Sequence, residues 1–115
     1  MNLKIDILGT KYSIKYTTVD KDTKLKSCDG YCDTSTKNIV VLDMESIKTE
    51  DSLKDLNYYQ RKVTRHEIIH AFIYESGLWC NTFSSNTWAT NEEMTDWIAI
   101  QFSKIYKAFK DADCL

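Results

Sequence analysis

Gln60-Arg61-Lys62-Val63-Thr64-Arg65-His66-Glu67-Ile68-Ile69-His70-Ala71-Phe72-Ile73-Tyr74-Glu75-Ser76-Gly77 is the stretch on which the reading of this chain turns. It holds no helix breaker before Gly77, and the helical pattern extends back to about Ser52. The sequence therefore predicts a helix over 52–76, stopped by Gly77. Inside it lies His-Glu-x-x-His. Residues four apart share one face of a helix, so His66 and His70 can aim ring nitrogens at one metal ion. Glu67 is rotated from His66 by about 100°. It borders such an ion without binding it, where a base acting on water must stand. Both histidines of the chain lie in this motif. The plainer alternative, two surface histidines on a solvated helix, makes that spacing an accident.

On the N-terminal side the pattern is that of strands. Leu3, Ile5 and Ile7 alternate with Lys4 and Asp6, and after a turn at Gly9-Thr10, Tyr12, Ile14 and Tyr16 alternate again. This reads as a hairpin. Asp20 to Ser27 is charged and irregular, a loop. Gly30–Thr34, the polar run 35–38 and Ile39–Leu42 suggest a second hairpin whose last strand is the most buried. On the C-terminal side, Leu78 to Thr90 is a polar loop. Thr90 or Asn91 caps a final helix with Glu92 and Glu93 in its first turn. Met94, Ile98, Phe102, Ile105 and Phe109 form one stripe of that helix, expected in the core. The fold expected is α+β: a small antiparallel sheet of N-terminal hairpins packed with two main helices, one domain over 1–115.

A catalytic zinc site takes three protein ligands and keeps one position open. With no third histidine, the third ligand must be a carboxylate or a thiolate. Asn91-Glu92-Glu93-Met94-Thr95-Asp96 offers candidates. Glu92 and Asp96 share a face that Ala99 and Ser103 continue, and small residues there let the two helices approach closely. Asp96 can then accept a hydrogen bond from the far nitrogen of a zinc histidine, fixing its tautomer. Glu93 is the other candidate ligand, and either glutamate also complements the helix dipole.

His-Glu-x-x-His followed by a helix carrying Asn-Glu-x-x-x-Asp resembles the gluzincin metallopeptidases, over residues 62 to 103. The resemblance implies a zincin-like domain with one Zn²⁺ per chain held by His66, His70 and Glu92. It implies Glu67 as catalytic acid and base, and Asp96 behind a zinc histidine. The small size and the run His70–Leu78 are also similar to small phage-encoded and ImmA/IrrE-like proteins, which implies a regulatory protease acting on a protein partner. The chain lacks the extra C-terminal domain and additional active-site histidine of larger gluzincins. Tyr74, one turn after His70, is the first candidate for oxyanion stabiliser, and Tyr31 the second.

Composition narrows the alternatives. A formal net charge of −2 with mixed charges argues against nucleic acid or an anionic membrane as partner. The N-terminus has no apolar signal segment, so a cytoplasmic setting with four reduced cysteines is expected. Cys28, Cys32, Cys80 and Cys114 have too loose a spacing for a structural zinc site, and independent thiols are the expectation. Trp79, Trp88 and Trp97 surround the active-site loop in sequence and could line a peptide cleft, but the expectation is core packing. The function expected is a zinc metallopeptidase acting on a peptide or protein. The alternatives are a non-enzymatic zinc-binding phage or regulatory interaction module, and an amidase using the same chemistry.

Overall fold

The first alternating segment forms two antiparallel strands, β1 (Asn2–Ile7) and β2 (Thr10–Thr17), in a computed structural model that describes residues 2–82 and 87–115. Leu8 and Gly9 join them with φ of 50° and 92°. Positive φ at both central residues gives the turn whose twist matches that of the strands. The Gly9 amide donates to Asp6 Oδ2 at 3.1 Å and closes it. The second hairpin is β3 (Gly30–Asp33) and β4 (Asn38–Leu42). Asp33 Oδ1 accepts from the amides of Ser35 and Thr36 and shapes its turn. The segment expected as a loop before it contains a short 3-10 turn, Thr23–Lys26.

The sheet order is β1-β2-β4-β3, and the expectation of a wholly antiparallel sheet is corrected by one pair. β2 and β4 run parallel, with Ile14 opposite Ile39 and Tyr16 opposite Val41. Burial explains it. Ile39, Val40, Val41 and Leu42 are all buried, so β4 has to lie inside the sheet, while the half-buried residues of β3 suit an edge. The second strands of the two hairpins are thus neighbours, and the second hairpin is turned so that they run parallel.

Helix α1 (Leu56–Glu75) starts later than the pattern suggested, because Asp55 caps it: its Oδ1 accepts from the Tyr58 amide at 2.9 Å. It ends where expected, with Gly77 at φ 86° just beyond. Leu56, Val63, Glu67 and Ala71 recur at helical spacing and form its buried face, and the three apolar ones join Tyr12, Ile14, Ile39 and Val41 in the core. Helix α2 (Glu92–Asp111) is capped by Asn91, whose Oδ1 accepts from the Met94 amide at 2.7 Å.

Small residues make the contact of α2 with the rest of the fold. Thr95 and Ala99 are fully buried. The Thr95 hydroxyl turns back on its own helix, donating to the Asn91 carbonyl at 2.9 Å, so burying it leaves no orphan group. Arg65 of α1 donates from Nε to the Ala99 carbonyl at 2.5 Å. The expected core stripe is corrected here. Phe102 is 52% and Phe109 48% exposed. The helices meet along the small face, and the larger side chains on the neighbouring arc lie outside the core. Trp79, Trp88 and Trp97 are likewise exposed. Of the loop expected over 78–90, residues 83–86 lie outside those described. Among the described residues, no helix is long and apolar enough to cross a membrane.

Candidate metal centre

One turn of α1 and the first turn of α2 bring three side chains to a point. His66 Nε2 lies 2.9 Å from one Glu92 carboxylate oxygen and 3.0 Å from His70 Nε2. His70 Nε2 lies 2.9 Å from the other Glu92 oxygen. Among the described residues, these three form the group of His, Cys, Asp or Glu side chains close enough to share a metal ion. Glu93 points elsewhere, beside Met94 and Trp97 in a shallow groove on the outer side of α2. The cysteines are all free thiols, as expected, and none belongs to the group.

The protons decide what this cluster needs. Asp96 Oδ1 lies 3.0 Å from His66 Nδ1 and 3.0 Å from Lys62 Nζ. Burial pushes the Asp96 carboxyl up, but the hydrogen bonds from Lys62 and His66 outweigh it and hold it below its ordinary value. An ionised carboxylate only accepts, so neutral His66 carries its proton on Nδ1. Its Nε2 then presents a lone pair to Glu92 and to His70. His66 Nε2 and the Glu92 carboxylate oxygen 2.9 Å away are then both acceptors, a contact that a shared proton or a metal ion between them would relieve, while His70 Nε2 can either donate or accept according to its tautomer. Burial holds His70 below the usual imidazole value against the pull of Glu92, which works against supplying that charge as a proton. Tetrahedral zinc with donors at 2.0–2.1 Å sets them about 3.3 Å apart, so the two histidine nitrogens, 3.0 Å apart, need move only a few tenths of an ångström to fit.

Glu67 follows His66 on the sheet side of α1 and is buried. Burial pushes its carboxyl up to about 7, with His66 pulling it down and Glu92 pushing it further up. Its neighbour across the cleft is the edge strand. A Cβ on Gly30 would stand 3.0 Å from Val63 Cγ1, 3.1 Å from the Val40 carbonyl oxygen and 3.5 Å from Glu67 Cγ. The bare backbone at Gly30 thus lets β3 lie close against α1 beside the carboxylate.

A cleft of ≈ 360 Å³ opens from Glu67, His70 and Glu92, with Cys32, Tyr74 and Trp79 in its walls. Tyr74 therefore reaches the same cleft as the cluster. The Lys37 ammonium lies 5.0 Å from its ring centroid and pairs with Glu75 at 3.2 Å. Tyr31 lines the cleft too, but its hydroxyl is committed, donating to Asp22 at 2.5 Å. Two contributors escaped the sequence reading. Lys62, four residues before His66, shares its helix face and could have been found by that spacing. The close approach at Gly30 could not, because it depends on how the sheet packs, whereas Trp79 takes the cleft-lining place that was the second reading of the tryptophans.

No family model, no curated protein and no solved structure matches this chain. The likeness to gluzincins therefore rests on the motif residues alone.

Proposed function

We propose that this chain is a zinc-dependent metallopeptidase. The observation that carries the reading is the convergence of three groups that can ligate one ion, His66, His70 and the Glu92 carboxylate, beside a buried carboxyl that does not join them. Two imidazoles and one carboxylate suit zinc, with Asp96 fixing the tautomer of His66. Bound there, the ion would polarise a scissile carbonyl and acidify water. Glu67, with a carboxyl near 7, is matched to taking a proton from water and passing it to the leaving amine. Tyr74, in the wall of the cleft, is the candidate donor to the developing oxyanion. β3 offers an unpaired edge beside the cluster, along which an extended peptide would pair through its backbone.

Two measurements on the purified chain test this. Metal analysis should give about one zinc per chain, the single-site value, lost in the double variant His66→Ala, His70→Ala. Glu67→Gln should keep the metal and lose peptide hydrolysis by about 10²- to 10⁴-fold, the scale of a general base. Absence of stoichiometric metal would sink the reading. Metal retained with no Glu67-dependent hydrolysis of any peptide would leave a zinc-binding interaction module.

A further inference from the structure

Lys62 stands about one helical turn before His66 on the same face of α1, and its side chain is only 15% exposed. A lysine so far withdrawn from water is held there by partners. Its ammonium lies 3.0 Å from Asp96 Oδ1, the same oxygen that meets His66 Nδ1, and 4.8 Å from the centre of the Tyr59 ring. Tyr59 is fixed in turn. Its hydroxyl donates to Asp29 Oδ2 at 2.7 Å, and the Asp29 carbonyl accepts from the Leu42 amide of β4 at 2.8 Å. A line of contacts thus runs from the residue before β3 through Tyr59, Lys62 and Asp96 to the ring of His66.

Donor and acceptor chemistry gives that line a direction. An ammonium only donates, so Asp96 Oδ1 accepts from Lys62. The same oxygen faces His66 Nδ1, and a hydrogen bond there has the ring as donor. A proton on Nδ1 leaves Nε2 of the neutral ring bare, and Nε2 is the atom that faces Glu92 and His70. The Asp96 side chain is 35% exposed, so without a second tether water competes with the ring for its carboxylate. A positive charge this near a cation site repels the ion, so charge alone gives Lys62 no reason to stand there.

We infer that Lys62 is a positioning residue of the metal site: it pins the Asp96 carboxylate against His66 Nδ1 and so keeps Nε2 bare and aimed into the cluster. What the bare nitrogen serves rests on the zinc reading; the tautomer itself rests on the fold alone. Lys62 touches neither an ion nor a substrate, and it acts through Asp96.

Lys62→Met keeps most of the length of the side chain and removes its charge. Two readouts on the full chain separate positioning from plain repulsion. Two-bond nitrogen–proton NMR of histidine-labelled, metal-free protein at about pH 8, above the usual imidazole range, reads the tautomers. His66 should carry its proton on Nδ1 in the parent and distribute it over both nitrogens in Lys62→Met. Competition with a chelating dye should show zinc affinity lower by about tenfold, the lower end of what losing an outer contact costs. A lone repelling charge predicts the opposite, tighter binding once it is removed. Should Lys62→Met fail to fold by circular dichroism, Lys62→Ala serves the same purpose. A parent without the Nδ1 proton overturns the proposal. So does a variant that retains that proton unchanged, or one that binds zinc as tightly as the parent or more tightly. A parent that binds no zinc yet shows the change of tautomer keeps Lys62 as the anchor of His66 and removes the metallopeptidase reading.

Discussion

The two halves of α2 obey different rules, although they are one unbroken helix. The first half is held by small and polar groups: Thr95 and Ala99 are fully buried, Arg65 reaches the Ala99 carbonyl, and Asp96 bridges Lys62 and His66. The second half carries the larger apolar side chains and leaves them half in water. The contrast teaches that amphipathic periodicity identifies a face without saying what it meets. Here the face that packs is the one whose small side chains bring two backbones together around a cluster of polar atoms.

The largest effect comes from the Glu67 carboxyl, buried on the sheet side of α1 beside the half of α2 that packs. The Glu67 carboxyl stands at about 7 in the metal-free fold, against 4.5 ordinarily. The folded state therefore holds the proton more tightly than the unfolded chain. The metal-free protein should lose stability as pH rises from 4.5 to about 7, and the loss is complete above that. Glu67→Gln removes the titrating group. Thermal melts with chelator present should show the variant more stable than the parent at pH 8, by roughly 3 kcal/mol at most, with the gap closing by pH 4. A gap independent of pH would remove burial as the cause.

Next in size is Ala99→Leu, which thickens the contact where no space exists. Overpacking of this kind costs about 1–3 kcal/mol. Denaturant unfolding should register it, together with weaker metal binding as Glu92 is pushed from the histidines. Asp96→Asn tests the polar part of the same half. It leaves packing nearly unchanged but supplies no full carboxylate to His66, so zinc affinity should fall by about 10- to 100-fold in competition with a chelating dye. An unchanged affinity would show that His66 needs no orienting partner. The smallest effect is expected in the other half. Phe102→Ser should change stability by no more than about 0.5 kcal/mol, as a surface substitution does. A core phenylalanine would cost about 3–5 kcal/mol, and a loss of that size would erase the contrast between the halves.

Much of this was legible in the sequence, because it is written locally. Alternation gave the first hairpin, a polar run before a β-branched one gave the second, Asn91 and Gly77 gave helix ends, and i,i+4 spacing gave His66 with His70 and Glu92 with Asp96. The run Ile39–Leu42 announced a strand buried on both sides. What stayed hidden depends on distant packing. Nothing within either hairpin says that β2 will lie parallel to β4. The small face of Asp96 and Ala99 was legible as the one that approaches α1, but nothing near Phe102 or Phe109 says that their stripe will lie outside the core. The choice between Glu92 and Glu93 needed the rotation of α2 relative to α1, which only the packed pair of helices fixes.

Arg65, reaching from α1 to a carbonyl of α2, Lys62 and the histidine–carboxylate cluster all cross the same narrow seam. Helix α2 is thus latched near its first end, leaving its second half as an arm with exposed side chains. A cation between the histidines and Glu92 would act as the bolt of that latch. Its arrival or departure would be felt as movement at the far tip of α2, many residues away from any atom that touches it.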